Sequence, residues 1–101
     1  MAIFHASATN FDDEVLNVPQ TVLVDFYADW CMPCKMLTPV IEELAAEHPD
    51  VKVVKLNVDN APEIASRYSV MSIPMLIVFK NGQIVGKSVG YTGKQAIADM
   101  L

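Results

Sequence analysis

Basic residues are scarce in this chain. Seven lysines and arginines stand against 12 aspartates and glutamates in 101 residues, a formal net charge of −5. No basic cluster occurs, which argues against a nucleic acid or an anionic membrane surface as partner. No apolar run approaches the length needed to span a bilayer. The opening residues Met1-Ala2-Ile3-Phe4-His5-Ala6 lack the charged start and apolar centre of a secretory leader. A soluble, cytoplasmic, monomeric protein is expected. Repeats, linkers and low-complexity segments are missing as well, and an apolar content of 52% belongs to a globular chain rather than a disordered one. At this length residues 1–101 are expected to form a single domain with a real core and little room for anything else.

Cysteine is just as sparse: Cys31 and Cys34 are the only two. Two cysteines make no disulfide framework, and a bridge over so short a loop restrains the unfolded chain little. They cannot complete a four-ligand structural zinc site either, because His5 and His48 lie elsewhere with no ligand spacing. Haem attachment would need histidine directly after the second cysteine, where this chain has Lys35. In a reducing compartment such a pair reads as catalytic or metal-binding, and the lack of further ligands favours redox catalysis.

What is present is concentrated. Trp30-Cys31-Met32-Pro33-Cys34 holds both cysteines and the single tryptophan, between the apolar run Val22 to Tyr27 and an amphipathic segment starting at Lys35. A strand therefore hands over to a helix at the cysteines. Cys31 falls near the helix N-terminus, where unpaired N–H groups and the helix dipole favour a thiolate. Cys34 falls in the first turn, close enough to close a disulfide onto it. Pro33 is tolerated there because first-turn N–H groups have no intrahelical partner to lose.

Along the chain, Ile3-Phe4 reads as a short strand. Ser7 to Leu16 reads as a helix capped by Thr9 or Asn10, with Phe11 and Val15 on one face. Thr21 to Tyr27 is apolar enough to be a central strand covered on both sides. Met36, Leu37, Val40, Ile41 and Leu44 recur at helical spacing opposite Glu42, Glu43 and Glu47, with Pro39 expected to kink the helix. Val51 to Val58 reads as a third strand. Asn60-Ala61-Pro62-Glu63 carries a capping signal for a helix reaching about Tyr68. Met75 to Phe79 and Ile84 to Val89 flank Asn81-Gly82, a hairpin signal, and a last helix follows Thr92-Gly93 with Ile97 and Leu101 facing inward. The order β-α-β-α-β-α-β-β-α implies a mixed sheet with helices on both faces.

Single residues keep two readings each. Asp25 shares a strand face with Leu23 and Tyr27, where burial would raise its pKa into the range of a proton carrier; a strand-end aspartate reaching water or capping the next helix fits equally. Lys55 interrupts an apolar strand and can extend to solvent. Trp30 is a contact surface or core, its position before a helix start favouring partial exposure.

Several separated motifs in order resemble the thioredoxin family over essentially the whole chain: Val24-Asp25-Phe26, Trp30-Cys31-x-Pro33-Cys34-Lys35, Lys55-Leu56-Asn57-Val58-Asp59, Ile73-Pro74, Phe79-Lys80-Asn81-Gly82 and Val89-Gly90. The resemblance implies an α/β fold with a central mixed five-stranded sheet flanked by four helices, and a protein-disulfide reductase. It implies Cys31 as attacking thiolate, Cys34 as resolving thiol, Asp25 as the carboxyl managing the Cys34 proton, and Lys55 tuning Asp25. Pro74 would follow a cis bond beside the sulfurs, and Trp30, Ile73 and Gly90 would line the substrate groove. No bound cofactor is implied; electrons would come from NADPH through a flavin-dependent thioredoxin reductase to disulfide-containing substrate proteins. Four positions depart from the family pattern. Met32 stands in place of glycine, Tyr27 in place of a second tryptophan, Met75 in place of threonine, and Met71 at a commonly polar position. Met32, Met71 and Tyr91 then fall with Trp30 around the groove, where adaptable thioethers suit varied apolar peptides, unless Met71 packs inward.

Overall fold

Strand alternation divides the chain's apolar residues between two faces of one sheet. The computed structural model describes residues 3–101. Its strands are β1 (Ile3–His5), β2 (Val22–Tyr27), β3 (Lys52–Asn57), β4 (Met75–Lys80) and β5 (Gln83–Val89), and its α-helices are α1 (Met32–Glu47), α2 (Pro62–Arg67) and α3 (Lys94–Ala98). A short π-type helical turn, Asp12–Leu16, is the fourth helical element. The sheet order is β1-β3-β2-β4-β5, with β1, β3 and β2 parallel and β4 and β5 antiparallel to their neighbours. β2 is central, as its mostly apolar run, interrupted only by Asp25, predicts.

Val22, Val24 and Phe26 point to one side and pack with Phe11, Val15, Val54, Ile64, Ile77 and Phe79. Leu23 points to the other and packs with Leu37, Ile41 and Leu44 of α1 and Ile97 of α3. Asp25 shares the face of Leu23, beneath α1. The hairpin turns at Asn81 (φ 53°) and Gly82 (φ 76°), two positive values that suit the twist of the flanking strands.

Three expectations change in detail. The helix expected over Ser7–Leu16 shrinks to the turn Asp12–Leu16. Asn10 does not cap it, because its Oδ1 accepts the Ser7 N–H at 2.7 Å and closes the preceding loop instead. The wide turn, in which the Asn17 N–H donates to the Asp12 carbonyl, still buries both Phe11 and Val15. Met36 is 56% exposed rather than inward-facing. The buried stripe of α1 is Cys34, Leu37, Ile41, Leu44 and Ala45, and Met36 lies about 100° round the helix from Leu37. Asn60 does not cap α2; the cap position is Ala61, without a side-chain bond. Ala61 is itself core, and the Asn57 carbonyl already accepts the N–H groups of Asn60 and Ala61. Pro39, expected to kink α1, lies within the continuous helix Met32–Glu47.

Candidate active site

Cys31 occupies the N-cap of α1 in extended conformation, and its Sγ accepts the Cys34 N–H at 3.2 Å. A cap normally offers an oxygen to an orphan first-turn N–H. Here sulfur takes that place, so the donor that would stabilise a thiolate already points at it. Cys31 and Cys34 form a disulfide with Cα atoms 5.2 Å apart. Both are almost fully buried, packed with Ala28 against Tyr27, Val58 and Ile73. Pro33 sits in the first turn, exposed beside Met32.

The loop before β4 supplies the opposite side. The Ile73–Pro74 bond is cis, Pro74 is buried, and the Ile73 carbonyl oxygen lies 3.8 Å from Cys31 Sγ. Gly90 (φ 87°) follows β5, and its N–H donates to the Pro74 carbonyl at 2.8 Å, tying the two loops together. Trp30 at 70%, Met32 at 63%, Met71 at 91% and Tyr91 at 50% are exposed, each within two residues in the chain of Cys31, Ile73 or Gly90. Met71 therefore does not pack inward. Trp30 is held in place by its Nε1–H, which donates to Asp59 Oδ2 at 2.9 Å. The Asp59 N–H is in turn accepted by Asn57 Oδ1.

On β2, Asp25 is completely buried, and neither carboxyl oxygen has a hydrogen-bond partner among the described residues. Burial raises its pKa from 3.8 to about 6, against the opposing pull of Lys55. Asp25 and Lys55 are paired residues on adjacent strands, and Lys55 Nζ stops 3.8 Å from Asp25 Oδ2. The same ammonium donates to Thr38 Oγ1 at 3.3 Å and lies 4.6 Å from the centre of the Tyr27 ring. A cleft of about 330 Å³ lined by Cys34, Tyr27, Thr38 and Lys55 opens this region to water. Sequence reasoning passed over two of these residues. The sequence places Thr38 one helical turn after Cys34 but gives no sign of its hydroxyl contacts. Asp59, which lies 29 residues beyond Trp30, gave no local signal.

A helix-capping Cys-x-x-Cys disulfide, with a buried carboxyl on the preceding strand and exposed apolar side chains next to it in the chain, has the make-up of a thiol–disulfide oxidoreductase. Comparison with known proteins narrows the class. The thioredoxin family model matches residues 2–101. A thioredoxin of Staphylococcus aureus is 50% identical over 102 residues, covering 100% of this chain and 96% of the relative. One of Chlamydia trachomatis is 48% identical over 95 residues, covering 94% of this chain and 91% of the relative. The chain belongs to the thioredoxin family, and its activity is that of a protein-disulfide reductase whose redox-active group is the Cys31–Cys34 pair.

Proposed function

We propose that the residues divide the reduction of a protein disulfide as follows. The Cys31 thiolate attacks one substrate sulfur, the substrate S–S bond breaks, and the other substrate sulfur leaves as a thiolate. Cys34 then passes its proton to Asp25 and attacks Cys31 Sγ. The mixed disulfide breaks, the second substrate thiolate departs, and the Cys31–Cys34 bond closes. Two electrons have moved from the protein to the substrate, and no bound cofactor is needed to carry them.

The observation that carries this reading is Cys31 Sγ at the α1 N-cap, accepting the Cys34 N–H. The fixed donor and the helix dipole stabilise a thiolate there. Asp25 suits the second step because a pKa of about 6 leaves it ionised, yet still basic, near neutral pH. Lys55 tunes that carboxyl through its charge. Trp30, Met32, Pro33, Met71, Ile73, Pro74, Gly90 and Tyr91 form the surface against which the substrate chain lies. Re-reduction falls to a flavin-dependent, NADPH-using thioredoxin reductase, in the cytoplasm, where a thiol pair stays reduced. No described helix is long and apolar enough to cross a membrane.

Single serine variants test the division of labour. Cys34→Ser is expected to accumulate a mixed disulfide with a protein substrate, detected by mass spectrometry, and Cys31→Ser to form none. A double serine variant that still performed the cellular role would mean that the domain docks partners without turnover.

A further inference from the structure

Thr38 has no part in the steps above, yet the groups around the proton acceptor meet at its hydroxyl. It stands one turn after Cys34 on α1, half-buried. Its Oγ1–H donates to the Cys34 carbonyl at 3.3 Å, and the same oxygen accepts from Lys55 Nζ at 3.3 Å. Thr38 and Lys55 together line both the 330 Å³ cleft beside Cys34 and a 480 Å³ groove bordered by Ile3, His5, Ile41 and Glu42. The contact between them stands where the two openings meet.

The position of the lysine calls for a cause. Lys55 lies directly beside Asp25 on the neighbouring strand, and its flexible stem has the reach to bring the ammonium onto the carboxyl. An unpaired buried carboxylate is the strongest acceptor in the vicinity. Yet the ammonium stops 3.8 Å away, outside hydrogen-bond range, and both Asp25 oxygens stay without a partner among the described residues. The Thr38 hydroxyl and the face of Tyr27 take the ammonium instead.

We propose that Thr38 is a positioning residue: its hydroxyl holds the Lys55 ammonium short of the Asp25 carboxyl and so keeps Asp25 basic enough to take the Cys34 proton. The second half rests on the role given to Asp25 above. A direct ion pair would favour the carboxylate and weaken it as a base; an ammonium held off leaves its basicity. Other charged or titratable groups face the region from every side. Tyr27 comes from β2, Asp29 from the loop after it, His5 from β1, and Lys35 and Glu42 from α1. Asp29, His5, Lys35 and Glu42 are exposed and screened by water. Lys55 is the one cation within 4.0 Å of Asp25 among the described residues.

The test is the titration of the Asp25 carboxyl, followed by its ¹³C chemical shift in the oxidised protein. Thr38→Val keeps the branched shape and removes the hydroxyl; Thr38→Ala serves as a second deletion; Thr38→Ser restores the hydroxyl. In Thr38→Val and Thr38→Ala the midpoint is expected to fall by about 1 pH unit as the ammonium closes on the carboxyl. Thr38→Ser should return it to the wild-type value. An unchanged midpoint, a rise, or a fall that serine does not reverse would overturn the positioning role. The rate of mixed-disulfide resolution against pH, measured on the same variants, should lose its plateau height in Thr38→Val and regain it in Thr38→Ser. Asp25→Asn separates the two claims. If it resolves the mixed disulfide with the wild-type pH profile, the proton role of Asp25 is overturned and the kinetic half of the proposal with it, while the carboxyl midpoint still decides what Thr38 does.

Discussion

Asp25 has no hydrogen-bond partner among the described residues, and burial of its carboxyl opposes folding whenever the group is ionised. Its pKa is about 6 in the folded chain against 3.8 for the free group. Between those values the folded state holds a proton that the unfolded state has released. The contribution of this one group to stability is therefore fully present below pH 3.8 and is lost as pH rises through the folded pKa, by about 3 kcal/mol in all. Asp25→Asn removes the ionisation. Denaturant unfolding of the oxidised protein should show the variant more stable by roughly 2–3 kcal/mol at pH 7.5 and little different near pH 3.5. An equal gain at both pH values would mean that the effect is packing, not charge. Met32 poses a different question at the same scale. Its side chain is 63% exposed beside the disulfide, with no buried function to perform. Flexible thioether surface there adds apolar contact to whatever chain flanks the target disulfide. Met32→Gly should lower kcat/KM for a disulfide peptide with apolar flanks by roughly threefold to tenfold and leave a polar-flanked peptide nearly unchanged. An equal change on both would sink the idea.

Among the elements, the β4–β5 hairpin depends on a single backbone position. Gly82 has φ 76°, and a Cβ added there would stand 2.9 Å from the Leu16 carbonyl oxygen of the π-type turn. Two penalties coincide, a left-handed backbone and a clash with backbone that cannot step aside. Gly82→Ala should lower the unfolding free energy by about 1–3 kcal/mol in a denaturant titration, with the redox chemistry of the folded fraction intact. A neutral result would mean that the Leu16 segment yields easily. The hairpin was legible beforehand because Asn81-Gly82 encodes its turn locally. So was the position of β2, since a strand with five apolar residues among its six suits cover on both faces. The caps were not legible. Whether Asn10 faces the helix or Ser7, and whether Asn60 or Ala61 takes the cap position, depends on how the chain enters from another element. Met36 misled for a related reason: a hydrophobic stripe fixes a helix face only to within one position, and residues at its edge go either way. The catalytic pair was legible from the two cysteines alone. Thr38 was not, because its hydroxyl acquires meaning only when Lys55 arrives from β3.

At the scale of the whole molecule, the question is which form of the Cys31–Cys34 couple the protein as a whole prefers. The α1 N-cap favours the Cys31 thiolate and so stabilises the reduced form. The acidic groups of the chain oppose it. The chain carries a net charge of −5, and Asp25 on β2, Asp29 beside the cleft and Asp59 under Trp30 are all acidic. Adding a thiolate to that environment is unfavourable, which shifts the couple toward the disulfide and makes the dithiol the better electron donor. The oxidised and reduced forms can be followed through Trp30, which adjoins Cys31 and is 70% exposed with its indole fixed on Asp59. Equilibrated in a glutathione redox buffer, the protein should remain largely oxidised until the buffer is far on the reducing side, giving a potential below that of the glutathione pool. That outcome identifies a reductase and makes Met32 a determinant of specificity. A potential above the pool would mean that the helix terminus outweighs the acidic surroundings. The same fold would then hand its disulfide on, as an oxidant or an isomerase does.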